Sequence, residues 1–400
     1  MLTALQALLL LAAGGFLFYL AFLSVAALFA TRRTSFRADS LRSFAVVVPA
    51  HNEELSIRRT LESLGAMEYP AERRRLLVVA DNCTDATAAI AREAGAEVWE
   101  RSNREQRGKG YALRWCFDRL VAEQQPVDAV VVIDADTTVA PDLLAIFNHD
   151  LEKGSTVLQA SDQVAPHPGA WSSEATRLGF FLYNHVRPLG RKVLGCPAGL
   201  RGNGMCFRTD VLRDHPWSAF SVSEDLEFGL QLLLAGHPAQ FAPEALVLAT
   251  MPENPDNAVS QRSRWEGGRY AIIRRYFPLL LKRFVSTGSL CMLDAAVELA
   301  VPALTNLLAL SAGMALLSTL LGLFGVDRML LLGLLWCAAF GLGIVHMVAG
   351  LRTDGADPSL RSTLAHAPRY ALWKMMVYAR MAKEGRPQEW VRTTREANRK

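Results

Sequence analysis

The stretch AVVVIDAD, Ala129–Asp136, sets a run of β-branched residues against two carboxylates one residue apart, Asp134 and Asp136. Followed by Thr-Thr and then Pro141, it predicts a buried strand reaching its carboxyl end. Ligands of open α/β sheets sit in the crevice beyond such strand ends. Alternation along a strand puts residues i and i+2 on one side, so both acids can face one ligand. Two like charges there repel unless a cation lies between them, and Mg2+ or Mn2+ take hard oxygen ligands. Taken alone, the same pattern also fits an acidic turn that caps the next helix.

Working outward, the same grammar repeats. FAVVVPAHNEE (44–54) is an apolar run, a proline, and a helix start with acids in its first turn. LLVVADNCTDAT (76–87) places Asp81 at a strand end and offers Thr84 or Asp85 as an N-cap. A short strand near 96–100 leads to RGKGYALRW (107–115), a basic, glycine-containing loop entering a helix. These β-α alternations predict a parallel sheet of the nucleotide-binding kind. With no GxGxxG after the first strand and no GxxxxGK[ST], a dinucleotide or P-loop site is disfavoured.

The next motifs are less regular. Residues 170–187 predict one amphipathic, aromatic helix, and GLRGNGMCFRTDVL (199–212) a glycine-rich turn, an apolar run and a capped helical turn. SVSEDLEFGLQLLLAG (221–236) predicts a helix from Ser223 with Glu224 and Asp225 in its first turn, where the helix dipole alone would favour acids. In QRSRWEGGR (261–269), Gln261, Arg264 and Trp265 share one helical face. That face offers an amide, a guanidinium suited to phosphate and an indole that can stack on a sugar ring. A surface helix docked at a membrane boundary fits it too.

Composition bounds the rest. The 400 residues are 51% hydrophobic with a formal charge of +4, too little to argue for nucleic acid. The apolar residues concentrate in 4–30, 299–326 and 329–351, each long enough to cross a bilayer. Arg32, Arg33 and Arg37 follow the first segment, and Arg352, Arg361, Arg369 and Lys374 follow the last. The positive-inside rule then places the N-terminus outside and the central region in the cytoplasm, at the inner membrane. Only Val326-Asp327-Arg328 separates the last two spans, which predicts a tight hairpin. Cys83, Cys116, Cys196, Cys206, Cys291 and Cys337 show no CxxC or metal spacing, so scattered reduced thiols are expected. Tyr370, Trp373, Val377 and Met381 form a stripe that predicts a helix lying on the membrane surface. The expected organisation is an anchor at 1–31, a catalytic region at 40–277 and an interfacial helix region at 278–300. A transmembrane hairpin at 301–351 and an amphipathic tail at 352–400 complete it.

Together PAHNEE, Asp81, RGKGYAL, DAD, SED and QRSRW resemble the membrane-bound family 2 glycosyltransferases that include cellulose, chitin and hyaluronan synthases. That group is marked by an isolated Asp, a DxD, a [T/S]ED and a QxxRW in this order, and here the four lie within 81–265. The resemblance implies an α/β GT-A fold flanked by one N-terminal and two C-terminal transmembrane helices. It also implies an inverting transfer from a UDP-sugar, with Mg2+ or Mn2+ as cofactor. Carried over by position, Ala50, Asn52, Glu53, Asp81 and Lys109 would surround the uridine and its phosphates. Asp134 would contact the donor and Asp136 would hold the metal. Asp225 is the general-base position, with Glu224 beside it near the acceptor. Arg264 would brace the diphosphate, with Gln261 and Trp265 on the acceptor sugar.

Displacement at an anomeric carbon needs a base for the acceptor hydroxyl and charge neutralisation on the departing diphosphate. One base without a second carboxylate nucleophile predicts inversion. Two acceptors follow: a growing β-linked exopolysaccharide of Glc or GlcNAc units, or a single lipid such as ceramide, diacylglycerol or polyprenyl phosphate. Three spans are few for a polysaccharide pore, so the first acceptor calls for a homo-oligomer or a secretion partner. An inactive scaffold would require a missing carboxylate, and none is missing.

Overall fold

The computed structural model describes residues 2–166, 171–250 and 255–363, with side chains described throughout except at 2, 171–173, 175 and 255–268. The chain divides into two compact units. One comprises Arg32–His185 and Pro197–Arg274; the other comprises the N-terminal stretch to Thr31, Val186–Cys196 and the chain from Arg275.

In the first unit, strands β1 (Phe44–Ala50), β2 (Arg74–Asp81), β3 (Glu97–Arg101), β4 (Ala129–Val132), β5 (Thr137–Val139), β6 (Val157–Val164), β7 (Met205–Arg208) and β8 (Ala239–Ala249) form one sheet. Their spatial order is β3-β2-β1-β4-β7-β6-β8-β5. The expected parallel arrangement holds for β3-β2-β1-β4, but β7 runs antiparallel to both β4 and β6. The sheet is therefore mixed. Side chains alternate between its two faces: Val46 and Val48 enter one core, Ala45 and Val47 the other. The first core is covered by α2 (Ile57–Gly65), α3 (Thr87–Glu93) and α5 (Leu143–Glu152). The second is covered by α4 (Lys109–Val121), α8 (Thr209–Asp214) and α9 (Glu224–Ala235). Buried Trp217 ties this second layer together, with ring centroids 5.8 Å from Phe117 and 4.3 Å from Phe228. It thereby joins α4 to α9.

The predicted helix over 170–187 is broken. Helix α6 (Trp171–Phe181) gives way to a π-helical turn, Leu182–Val186, before α7 (Arg187–Val193). Pro188 accounts for this, because it offers no N–H to the carbonyl of Asn184. The strand leading into DAD also ends sooner than expected, at Val132. Beyond Ile133 the chain turns, with the Thr137 N–H on the Asp134 carbonyl at 3.2 Å. Arg33 forks between Asp150 and Glu244 rather than facing open water.

The second unit holds α1 (Leu2–Ala27), α7, α11 (Leu290–Ala300), α12 (Leu304–Leu323) and α13 (Met329–Gly350). Among the described residues three helices, Thr3–Ala27, Leu304–Leu323 and Met329–Gly350, are long and apolar enough to cross a membrane. The turn joining the last two is Phe324–Arg328, longer than the three residues expected, with Arg328 in the left-handed region at φ 63°. Small residues sit at the helix contacts, as in membrane bundles. A Cβ on Gly343 would come within 2.4 Å of Leu308, and one on Gly333 within 2.6 Å of Thr319. Arg187 and Arg191 on α7 pair with Glu298 and Asp294 on α11, each at 2.7 Å. The thiols are not all scattered, since the Cys196 and Cys291 sulfurs lie 3.0 Å apart. Helix α10 (Pro255–Thr287) carries the QRSRW motif. The Tyr370–Met381 stripe lies outside the described residues.

Candidate active site

The carboxyl ends of β2, β1 and β4 are neighbours in the sheet, which brings Asp81, the Ala50–Glu53 turn and the DAD turn to one edge. Asn52 and Asn82 follow two of these ends and both take positive φ, 57° and 51°. Asparagine tolerates that conformation better than other side chains because its amide can bond locally. Asn52 Oδ1 accepts from the Thr84 N–H at 2.7 Å, and Asn82 Oδ1 accepts from the Asn103 N–H at 2.8 Å. The Glu53 N–H donates to Thr87 Oγ1 at 2.7 Å, while its carboxylate accepts from Ser56 at 2.8 Å. Ala50 offers its carbonyl to the Cys83 thiol at 3.4 Å. The N-cap of α3 is Ala86 rather than the expected Thr84 or Asp85, although Asp85 accepts the Thr87 N–H at 3.0 Å.

Asp81 is buried and paired with Arg101, at 2.6 Å. Sequence reading missed Arg101. It also holds the Gln106 carbonyl at 2.8 Å, so it anchors the start of the basic loop to the end of β2. Removing one partner of such a buried pair typically costs about 3–5 kcal/mol. Loss of Asp81 would therefore disturb this loop as well as any ligand contact.

Lys109 opens α4 and reaches across the crevice, donating to Asp134 Oδ1 and to the Gly202 carbonyl, both at 2.5 Å. Burial works against its ammonium, but Asp134 and Glu224 outweigh that and hold its pKa above the ordinary lysine value. Gly202 itself has φ +85°, and a Cβ there would lie 3.0 Å from Asp225 Oδ2. No larger residue fits that position without strain.

Glu224 and Asp225 form the first turn of α9, with Ser223 as N-cap making no side-chain cap hydrogen bond. Burial, then the Asp225 charge, pushes the Glu224 carboxyl up to about 8. Burial also raises Asp225, against the Leu226 N–H, Lys109 and Arg201. Lys109 and Arg201 offset only part of that burial.

Behind the DAD turn lies a polar network that sequence reading also missed. The Asp134 N–H donates to Asn203 Oδ1 at 3.1 Å, and Asn203 Nδ2 donates to Thr137 Oγ1 and to Asp162 Oδ1, both at 3.0 Å. Asn184 Nδ2 donates to the other Asp162 oxygen at 3.2 Å. Burial, with the Asp134 charge, raises the Asp162 carboxyl well above the usual range.

The cation test is met by donor chemistry rather than by a cage. Among the described residues no three His, Cys, Asp or Glu side chains group as a metal site. A hard divalent cation needs only one or two carboxylates when substrate phosphates and water complete its shell. Half-buried Asp134 and Asp136 at one turn fit that requirement. Gln261, Arg264 and Trp265 lie on α10, but their side chains fall outside those described.

Comparison with known proteins identifies the family and the fold. A family model described as glycosyltransferase like family 2 matches residues 42–268, more than half the chain. The Bacillus subtilis (strain 168) protein named "Probable glycosyltransferase YdaM" is 26% identical over 261 residues, 61% of this chain and 60% of its own length. The Beta-monoglucosyldiacylglycerol synthase of Nostoc sp. (strain PCC 7120 / SAG 25.82 / UTEX 2576) is 27% identical over 261 residues, 62% of this chain and 53% of its own length. The chain thus spans little more than half the length of these relatives. In fold it is similar to the mannosyltransferase PcManGT from Pyrobaculum calidifontis, solved with GDP-Man and Mn2+. That likeness has a TM-score of 0.56 at 18% identity and covers 88% of this chain and 99% of that one. The mixed sheet and its helices are the GT-A fold. With Asp81, Lys109, the DAD turn and the Glu224–Asp225 pair all inside the matched region, the chain belongs to glycosyltransferase family 2.

Proposed function

We propose that this enzyme transfers a hexose from a UDP-sugar to a hydroxyl of a membrane lipid, inverting the anomeric carbon. The observation that carries the transfer is the convergence of the Lys109–Asp134 pair and Asp225 on Gly202. A donor phosphate beside Lys109 and a base across the crevice are what displacement at a sugar carbon needs. Asp81 and the Ala50–Glu53 turn would serve the nucleoside, and Asp136 would hold Mg2+ or Mn2+. When bound, that ion would supply charge neutralisation to the leaving group. Asp225 takes the acceptor proton, and Glu224, which keeps its proton up to about pH 8, lets the pair carry one charge rather than two. On the family resemblance, Arg264 would assist the diphosphate, and Gln261 and Trp265 would serve the acceptor.

One observation supports a lipid acceptor. Three relatives that this chain resembles at 27–28% identity are named Beta-monoglucosyldiacylglycerol synthase. The catalytic unit lies on the cytoplasmic face of the inner membrane, with Arg32, Arg37, Arg352 and Arg361 on that side. A growing β-glycan is the second reading, favoured by the ordered D, DxD, SED and QRSRW motifs that polymer synthases carry.

Product size separates the two. Purified enzyme in nanodiscs, given radiolabelled UDP-Glc or UDP-GlcNAc with diacylglycerol or ceramide, should yield one organic-soluble labelled spot. A ladder of water-soluble products would overturn the lipid reading and establish the polymer.

A further inference from the structure

We infer that Asn203 is a positioning residue that holds both aspartates of the DAD turn, with Thr137 as its relay and Asp162 as its anchor; this rests on the donor-site reading above. Asn203 is buried and makes two of its three amide hydrogen bonds to the turn. Its Oδ1 accepts the Asp134 N–H at 3.1 Å, which fixes where Asp134 sits. Its Nδ2 donates to Thr137 Oγ1 at 3.0 Å, and the Thr137 hydroxyl in turn donates to Asp136 Oδ1 at 3.3 Å. One side chain thereby reaches the first carboxylate through its backbone and the second through a hydroxyl. Because Thr137 must accept from Asn203, its single proton is aimed at Asp136.

The anchor is equally specific. Asp162, buried on β6, accepts the second Nδ2 proton at 3.0 Å and so prevents the amide from flipping. Asn184 donates to the other Asp162 oxygen at 3.2 Å. The backbone of the same loop is pinned too. The Asn203 carbonyl accepts from Gln159 Nε2 at 2.7 Å, the Arg201 N–H donates to Gln159 Oε1 at 2.8 Å, and the Gly202 carbonyl accepts from Lys109. The turn that would hold the donor's cation and the loop beside Asp225 are therefore tied to each other by hydrogen bonds. An outer partner that orients a metal ligand typically contributes 10- to 100-fold to metal affinity. Asn203 and Thr137 stand in that relation to Asp134 and Asp136.

The test measures UDP binding by calorimetry on the full chain in detergent, with Mn2+ and again with EDTA, beside thermal unfolding. Wild type should bind UDP more tightly with Mn2+. Asn203→Ala should lose about 10- to 100-fold of the Mn2+-dependent affinity, while binding in EDTA changes less than about threefold. Thr137→Val should lose part of the same increment, Thr137→Ser should restore it, and Asn203→Ala/Thr137→Val should be no worse than Asn203→Ala alone. An unchanged Mn2+ increment in Asn203→Ala overturns the inference. So does a parallel loss in EDTA with a collapsed melting transition, which would make Asn203 a folding residue only. If wild type itself gains nothing from Mn2+, the donor-site reading fails first and the inference with it.

Discussion

Asp225→Asn is expected to cut sugar transfer by about 100- to 10,000-fold, the range a general base typically supplies, while UDP affinity stays within about threefold. Asparagine keeps the size of the side chain and an oxygen for the helix N–H groups, so the first turn of α9 survives. What it loses is the ability to accept the proton of the acceptor hydroxyl. The proposed donor-side contacts lie elsewhere, on Lys109, Asp81 and the DAD turn. The pH profile gives an independent readout. Burial raises both acids, so transfer should fall as pH drops and Asp225 takes a proton. Glu224, raised by burial and by Asp225, adds a second inflection near pH 8. Glu224→Gln should erase that upper inflection and leave the acid limb in place. Loss of UDP affinity in Asp225→Asn, or an unchanged pH profile in Glu224→Gln, would contradict the assignment.

The second large effect is expected at Asp136. Asp136→Ala should lose metal-dependent turnover by at least about 100-fold, since neutralising a leaving diphosphate is worth several kcal/mol. Asp134 is already committed to Lys109, at 2.5 Å, so it is poorly placed to substitute. The check is a Mn2+ titration of nucleotide release at saturating donor. A flat, wild-type-like response to metal in the variant would refute the role of Asp136. Loss of the Thr137 contact at 3.3 Å is a minor perturbation beside it.

Much of this architecture was legible because it is written in local pattern. The apolar run 129–133 ends abruptly in acids, and Phe44–Ala50 and Arg74–Asp81 repeat the same grammar, so strands and their ligand-facing ends could be placed. The three apolar segments emerge as helices within one or two turns of their expected bounds. What escaped depends on distant pairing. Asn203 sits in Gly-Asn-Gly, which reads as any turn, and meets Asp134 across 69 residues of sequence. Asp162 lies in VLQASDQV, where alternation would suggest a solvent-facing acid, yet β6 is covered on both faces. Arg101, just past the short strand expected near 96–100, proves to be the partner of Asp81, 20 residues earlier. The antiparallel β7 was hidden for the same reason, since nothing local in MCFR encodes the direction of its neighbours.

The most direct test of the central claim is nucleotide release by the purified full chain in nanodiscs. It should be screened against UDP-Glc, UDP-GlcNAc, UDP-Gal, UDP-GlcA and GDP-Man with Mg2+ or Mn2+, with a lipid acceptor supplied. The account predicts metal-dependent release of UDP from one of the uridine donors, abolished in Asp225→Asn. Release from GDP-Man alone, or release indifferent to metal and to Asp225, would contradict it.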